Sequence, residues 1–202
     1  MPSREEIAYF GAGPSGLDDQ VAIAASQAFL NYENSGLGLA EISHRSPEAT
    51  KILADTKDAL RQILEMPDNY EIILTHGGGS GEFSAVVFNM IAVWVEKRRR
   101  QAMEELNGDE ERVLDRVRKE IRTQLRLDYV LTGSWSLKAS QEAAKLVEPL
   151  GKDVVNIVVD ARKKSEKGKF DNIPEEDWNL TPNHASGSES AFIYYCDNEV
   201  SG

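Results

Sequence analysis

One cysteine, Cys196, occurs in 202 residues, so an internal disulfide is excluded and a reducing compartment is the expected home. Basic excess is missing as well: the formal charge is −11, and nucleic acid as a partner is set aside because it calls for a basic footprint. Long hydrophobic runs are absent. The longest largely apolar stretch, residues 85–95, contains Asn89 and is too short to span a bilayer. The first six residues carry charge where a secretory signal needs apolar side chains, so no membrane is expected and the cytoplasm is the expected location. The three histidines and the lone cysteine show no metal-ligand spacing, and no metal is expected. Cys196 itself reads as an inert buried thiol at a strand end.

What is present is 41% apolar content, enough for a sizeable core, in a pattern that alternates strand and helix. Residues 1–17 read as an N-terminal arm ending in Gly11-Ala12-Gly13-Pro14-Ser15-Gly16. A helix is predicted from about Asp18, with Val21, Ala24, Ala25, Ala28 and Phe29 on one side. A second is predicted behind Ser46 as N-cap and Pro47 at the first helical position, with an apolar stripe of Ile52, Leu53, Leu60, Ile63 and Leu64. Strands are predicted at 71–75, 128–132, 153–159 and 190–196, and helices after the glycine loop and over 136–147. Strands separated by helices imply an α/β fold, a mainly parallel sheet with helices on both faces. Residues 97–127 interrupt this rhythm with charges of both signs and with Leu114, Val117, Ile121 and Leu125 at helical spacing. They read as a charged helical insertion, either packed on the body or free for a partner.

The loop His76-Gly77-Gly78-Gly79-Ser80-Gly81 stands between a predicted strand and helix. There, glycine lets a ligand approach the backbone, and the free N–H groups of the helix start favour an anion. It lacks the Gly-Lys-Ser/Thr of a Walker loop, and Glu82 stands where a dinucleotide fingerprint has glycine. The tetrad His76 to Gly79 is similar to the oxyanion-hole motif of esterases, but no Gly-x-Ser-x-Gly elbow follows. His44 and Arg45, just ahead of the Ser46 cap, suit a phosphate or carboxylate, the plain alternative being an exposed pair on a nearby acid. Trp135 reads either as a stacking platform at a strand's carboxyl end or as core. His184 falls in a polar loop.

In order, Phe10 to Pro14, Glu41 to Arg45, Met66 to Tyr70, His76 to Phe83, Tyr129 to Trp135 and Tyr194 to Glu199 resemble the phosphoserine aminotransferase family of fold-type I pyridoxal-phosphate enzymes. The resemblance implies that residues 18–202 are an incomplete cofactor-binding large domain with its C-terminal portion absent. It implies pyridoxal 5'-phosphate as cofactor, held through the backbone of Gly79 and Ser80, with Trp135 stacked on its ring. It assigns His44 and Arg45 to the substrate anion site at a homodimer interface. The reaction implied moves an amino group between glutamate and 3-phosphohydroxypyruvate, giving phosphoserine and 2-oxoglutarate in serine biosynthesis. Two departures stand out. Asn198-Glu199-Val200 replaces the family's Asn-Glu-Thr, removing a hydroxyl donor. None of the eleven lysines matches the family's Schiff-base lysine, so no catalytic residue is assigned and the 202-residue chain is expected to be inactive alone. The alternative is a non-catalytic product that binds or dimerises with a full-length subunit.

Overall fold

The computed structural model describes residues 3–11, 13–182 and 188–199. His184 and Val200 lie outside them. The chain divides into two compact units, residues 1–76 and 77–202.

In the first unit, α1 spans Asp19–Leu30 and α2 spans Pro47–Ile63. Both begin as their sequences dictate. The Asp18 carboxylate accepts the Gln20 N–H at 2.8 Å, and the Ser46 hydroxyl accepts the Ala49 N–H at 3.2 Å, with Pro47 at a position whose N–H has no helical acceptor. Neither helix buries a residue: of the predicted apolar stripes, Val21, Phe29, Leu53, Ile63 and Leu64 are exposed, and Ala28, Ile52 and Leu60 are only partly covered. The strand expected at 71–75 does not form. Its backbone enters none of the pairings among the described residues, and Ile73 and Leu74 are exposed. The run has the composition of a strand, but a strand exists only where a neighbour completes its ladder.

The second unit is an α/β body. Helix α3 spans Gly79–Glu105, α4 Glu110–Gln124 and α5 Ser134–Leu146. Strands β1 (Leu125–Leu131), β2 (Val155–Asp160) and β3 (Glu189–Tyr194) form a parallel sheet in the order β2–β1–β3, with Tyr129 opposite both Ile157 and Tyr194. Central β1 is buried almost throughout, as a parallel strand covered on both sides must be, and five of its seven residues are apolar. Leu125, Leu127, Tyr129 and Leu131 join Val87, Ile91 and Trp94 of α3 and Ala143 of α5 in one core, where each fully buried aliphatic side chain stabilises by about 1.5–3 kcal/mol. The neighbouring Asp128 is fully buried too. Its carboxylate accepts from Asn156 Nδ2 (2.8 Å) and from the Thr181 hydroxyl (2.6 Å) and N–H (3.1 Å), which fastens the 179–181 segment to the sheet. Among the described residues no helix is long and apolar enough to cross a membrane.

The charged stretch 97–127 is helical for most of its length and runs from the end of α3 through α4 into β1. Its first part continues α3, because no glycine or proline interrupts residues 82–106. Asn107 (φ +52°) and Gly108 (φ +79°) then turn the chain, the Gly108 N–H reaching the Met103 carbonyl at 3.0 Å. Helix α4 folds back, burying Val113 and Val117 against Ala102, with Arg116 bonded to both Glu105 and Glu120. The basic run 97–100 is paired with acids: Lys97 and Arg98 with Glu189 of β3, Arg99 and Arg100 with Glu96.

Candidate functional site

The site develops in the second unit where α3 begins and where β1 and β3 end. Gly78, at φ +144°, is the N-cap of α3, a conformation L side chains rarely adopt. The helical ladder opens with the Glu82 N–H bonded to the Gly78 carbonyl at 3.1 Å, so the amides of Gly79, Ser80 and Gly81 precede its first rung. A Cβ built on Gly77, Gly79 or Gly81 meets no atom within 4 Å, leaving open space over these amides. Ser80 contributes its carbonyl to the Ser84 hydroxyl at 2.7 Å.

Gly79 and Ser80 open onto a cleft of about 500 Å³ that also takes Phe83 from α3, Trp135, Lys138 and Glu142 from α5, and Tyr194, Cys196 and Asn198 from the end of β3. The carboxyl ends of parallel strands are where open α/β sheets bind ligands. Trp135 is no core residue: it is 51% exposed, and its indole lies under the Lys138 ammonium, 4.5 Å from the ring centroid. The Phe83 ring meets Tyr194 edge-on at 6.0 Å, and Tyr194 in turn packs on Tyr129 at 5.2 Å, giving the cleft an aromatic floor. Burial, with the Cys196 thiol and the Glu199 carboxylate close by, pushes the Tyr194 phenol above its ordinary pKa and keeps it protonated.

Two helices start at this cleft, and their amides are treated differently. In α5 the Trp135 N–H goes to Glu199 Oε2 (2.8 Å) and the Ser136 N–H to Glu199 Oε1 (2.7 Å). Burial works to raise the Glu199 carboxyl, but the Ser136 hydroxyl and the two amides outweigh it and hold the group below the usual glutamate range. The Ser136 hydroxyl accepts the Thr132 and Gly133 N–H groups, each at 3.1 Å, and closes the turn. The α5 terminus is therefore compensated by a carboxylate, while that of α3 faces open space. Helix-start amides, which favour an anion, and an accessible indole thus border the same cleft.

The sequence-selected residues thus separate into two groups. Gly79, Ser80 and Trp135 line one cleft. His44 and Arg45 belong to the first unit, exposed in the turn before α2, where the Arg45 N–H bonds the Ser43 hydroxyl at 3.3 Å. His76 is the last residue of that unit. Cys196 is not a buried strand thiol: β3 ends at Tyr194, and the half-buried sulfur borders the cleft. Phe83, Tyr194 and Glu199 lie in the segments that carry the resemblance but have no role assigned from sequence, and Lys138 is not singled out there at all. The adjoining Gly133-Ser134-Trp135-Ser136, a helix start with glycine where a cap belongs, is the local signal for an acceptor such as Glu199.

The description of the Aminotransferase class-V family matches residues 7–107. The chain is 34% identical over 197 residues to the phosphoserine aminotransferase of Saccharomyces cerevisiae, covering 98% of this chain and 42% of that protein. It is 34% identical over 192 residues to the phosphoserine aminotransferase of Drosophila melanogaster, covering 95% and 40%. In three dimensions it is similar to the PLP-bound phosphoserine aminotransferase of Trichomonas vaginalis, with a TM-score of 0.65 at 27% identity, covering 96% of this chain and 45% of that one. The chain thus spans about two fifths of the length of the relatives it matches.

Proposed function

Because the chain belongs to the Aminotransferase class-V family, we propose that it is the N-terminal part of a phosphoserine aminotransferase that takes pyridoxal 5'-phosphate in the cleft between α3, α5 and the end of β3. The observation that carries this reading is the meeting, in one cleft of about 500 Å³, of uncommitted helix-start amides and a half-exposed tryptophan. The open space over Gly77, Gly79 and Gly81 suits a phosphoryl group, and the aromatic floor suits a flat ring. When bound, the cofactor supplies the electron sink for chemistry at the substrate's α-carbon.

The residues of this chain bind and orient. Gly79 and Ser80 N–H groups hold the phosphate, Trp135 presents its indole to the ring, and Phe83 and Tyr194 keep water from the inner end. His44 and Arg45 hold the substrate's phosphate or distal carboxylate in a homodimer. Substrates on this reading are glutamate and 3-phosphohydroxypyruvate, with 2-oxoglutarate and phosphoserine as products, in the cytoplasm. Residues 18–202 are assigned to the cofactor-binding large domain and residues 1–17 to an arm. Lys138 is the lysine bordering the cleft, but its ammonium sits on the indole and its context does not match the family's lysine, so no proton transfer is assigned to it.

Titration of the chain with pyridoxal 5'-phosphate tests the proposal. Gly79→Pro deletes one amide donor at a position where proline suits a helix start, and is expected to weaken binding about tenfold, as is Trp135→Ala. Unaltered affinity in both variants would remove the cofactor from this cleft.

A further inference from the structure

We infer that Glu199 is a positioning residue, which caps α5 from outside the helix and so fixes Trp135 at the cleft. The inference rests on the reading of that cleft proposed above. A helix N-cap is usually Ser, Thr, Asp or Asn, whose side-chain oxygen accepts an N–H two or three positions on. Gly133 occupies that position in α5 and has no such oxygen. The acceptor comes instead from 64 residues further along the chain: Glu199 takes the Trp135 N–H on Oε2 and the Ser136 N–H on Oε1. With both oxygens engaged, the carboxylate cannot pivot without giving up a bond.

Gly133 fits this arrangement sterically. Its φ of −170° and ψ of −168° admit any residue, yet a Cβ there would collide with Cγ, Cδ and Oε2 of Glu199. The missing side chain is the space the carboxylate fills. Two consequences bear on the cleft. The residue whose indole lines it is anchored at its own backbone N–H to the segment following β3, so the ends of β1 and β3 hold the platform jointly. The negative charge also compensates the α5 terminus, leaving the α3 amides of Gly79 and Ser80 as the donors open to a dianion.

A purely electrostatic role and a positioning role make opposite predictions for two ligands. Removing a negative charge beside an anion site tightens any anion; releasing the indole weakens only a ligand with a ring to stack. The test uses the 202-residue chain carrying Trp178→Phe, which leaves Trp135 as the accessible indole beside buried Trp94. Glu199→Gln and the milder Gly133→Ala are introduced separately, with far-UV circular dichroism confirming the fold. Both are expected to raise acrylamide quenching of Trp135 without ligand. Both are expected to weaken pyridoxal 5'-phosphate about tenfold, while inorganic phosphate binds at least as well as before. Unchanged indole quenching in both variants, or both ligands weakened equally, overturns the inference. Failure of pyridoxal 5'-phosphate to bind the parent chain defeats the reading of the cleft instead, and the ligand-free quenching then decides the role of Glu199.

Discussion

Gly79 and Gly133 lack side chains for opposite reasons. At Gly79 a Cβ would meet open space, so nothing in the protein demands glycine there. At Gly133 the demand is internal, because the Glu199 carboxylate lies where the Cβ would be. That carboxylate also makes part of the fold sensitive to pH. Held below the ordinary glutamate value of about 4.3, it protonates in the folded chain only at lower pH than in the unfolded one. Its contribution is therefore complete above the unfolded pKa and is lost as the pH falls through the folded value. The Trp135 emission is expected to hold steady down to the ordinary glutamate range and to shift toward solvent-exposed character below it. In Glu199→Gln this acid step should vanish, and a step of the same size in that variant would assign the transition to another group. The glycine loop and Trp135 were legible from sequence because each sits in a local pattern. Glu199 was not, because its partners are distant in the chain.

At the scale of elements, the caps were readable and the partners were not. Ser46 and Pro47 start α2 through contacts within four residues, and the sequence predicts them correctly. The change in composition at Lys97 looked like a boundary, yet the helix runs through it, since Glu, Lys, Arg, Gln, Ala and Met all favour helix. The stop comes at Asn107-Gly108, both with positive φ. Gly108→Ala forces a side chain into the left-handed region at φ +79° and is expected to destabilise the α3–α4 hairpin by about 1–2 kcal/mol. Urea unfolding of the purified variant measures this, and a loss below a few tenths of a kcal/mol would show that the turn relaxes to another conformation. The run 71–75 shows the converse. Three β-prone apolar residues did not make a strand without an adjacent strand to bond.

For the whole molecule, the second unit is a body organised around β1, with helices α3, α4 and α5 and a cleft at the strand ends. The first unit buries no residue of either helix and leaves Phe10, Leu30, Ile63 and Ile73 exposed. On the proposed reading, Gly79, Ser80 and Trp135 of the second unit bind and orient an anionic, aromatic cofactor. A lysine in the family's context is not found among the eleven of this chain. The 202-residue chain by itself is therefore expected to bind pyridoxal 5'-phosphate but to form little or no phosphoserine from glutamate and 3-phosphohydroxypyruvate in a coupled assay. Steady turnover by the pure chain would mean that another group, Lys138 foremost, takes the missing role.

The amino-acid order alone determined the α/β alternation, the helix starts at Asp18 and Ser46, and the helix-opening glycine loop. Each of these follows from dihedral preference, capping or periodicity over a few residues. Tertiary structure alone decided that 71–75 stays unpaired, that the basic run 97–100 is matched by Glu96 and Glu189, and that Glu199 closes α5 beside Trp135. These outcomes depend on a ladder partner or an ion pair whose members meet only when the chain has folded. Local sequence specifies the groups; it does not specify which of them become neighbours.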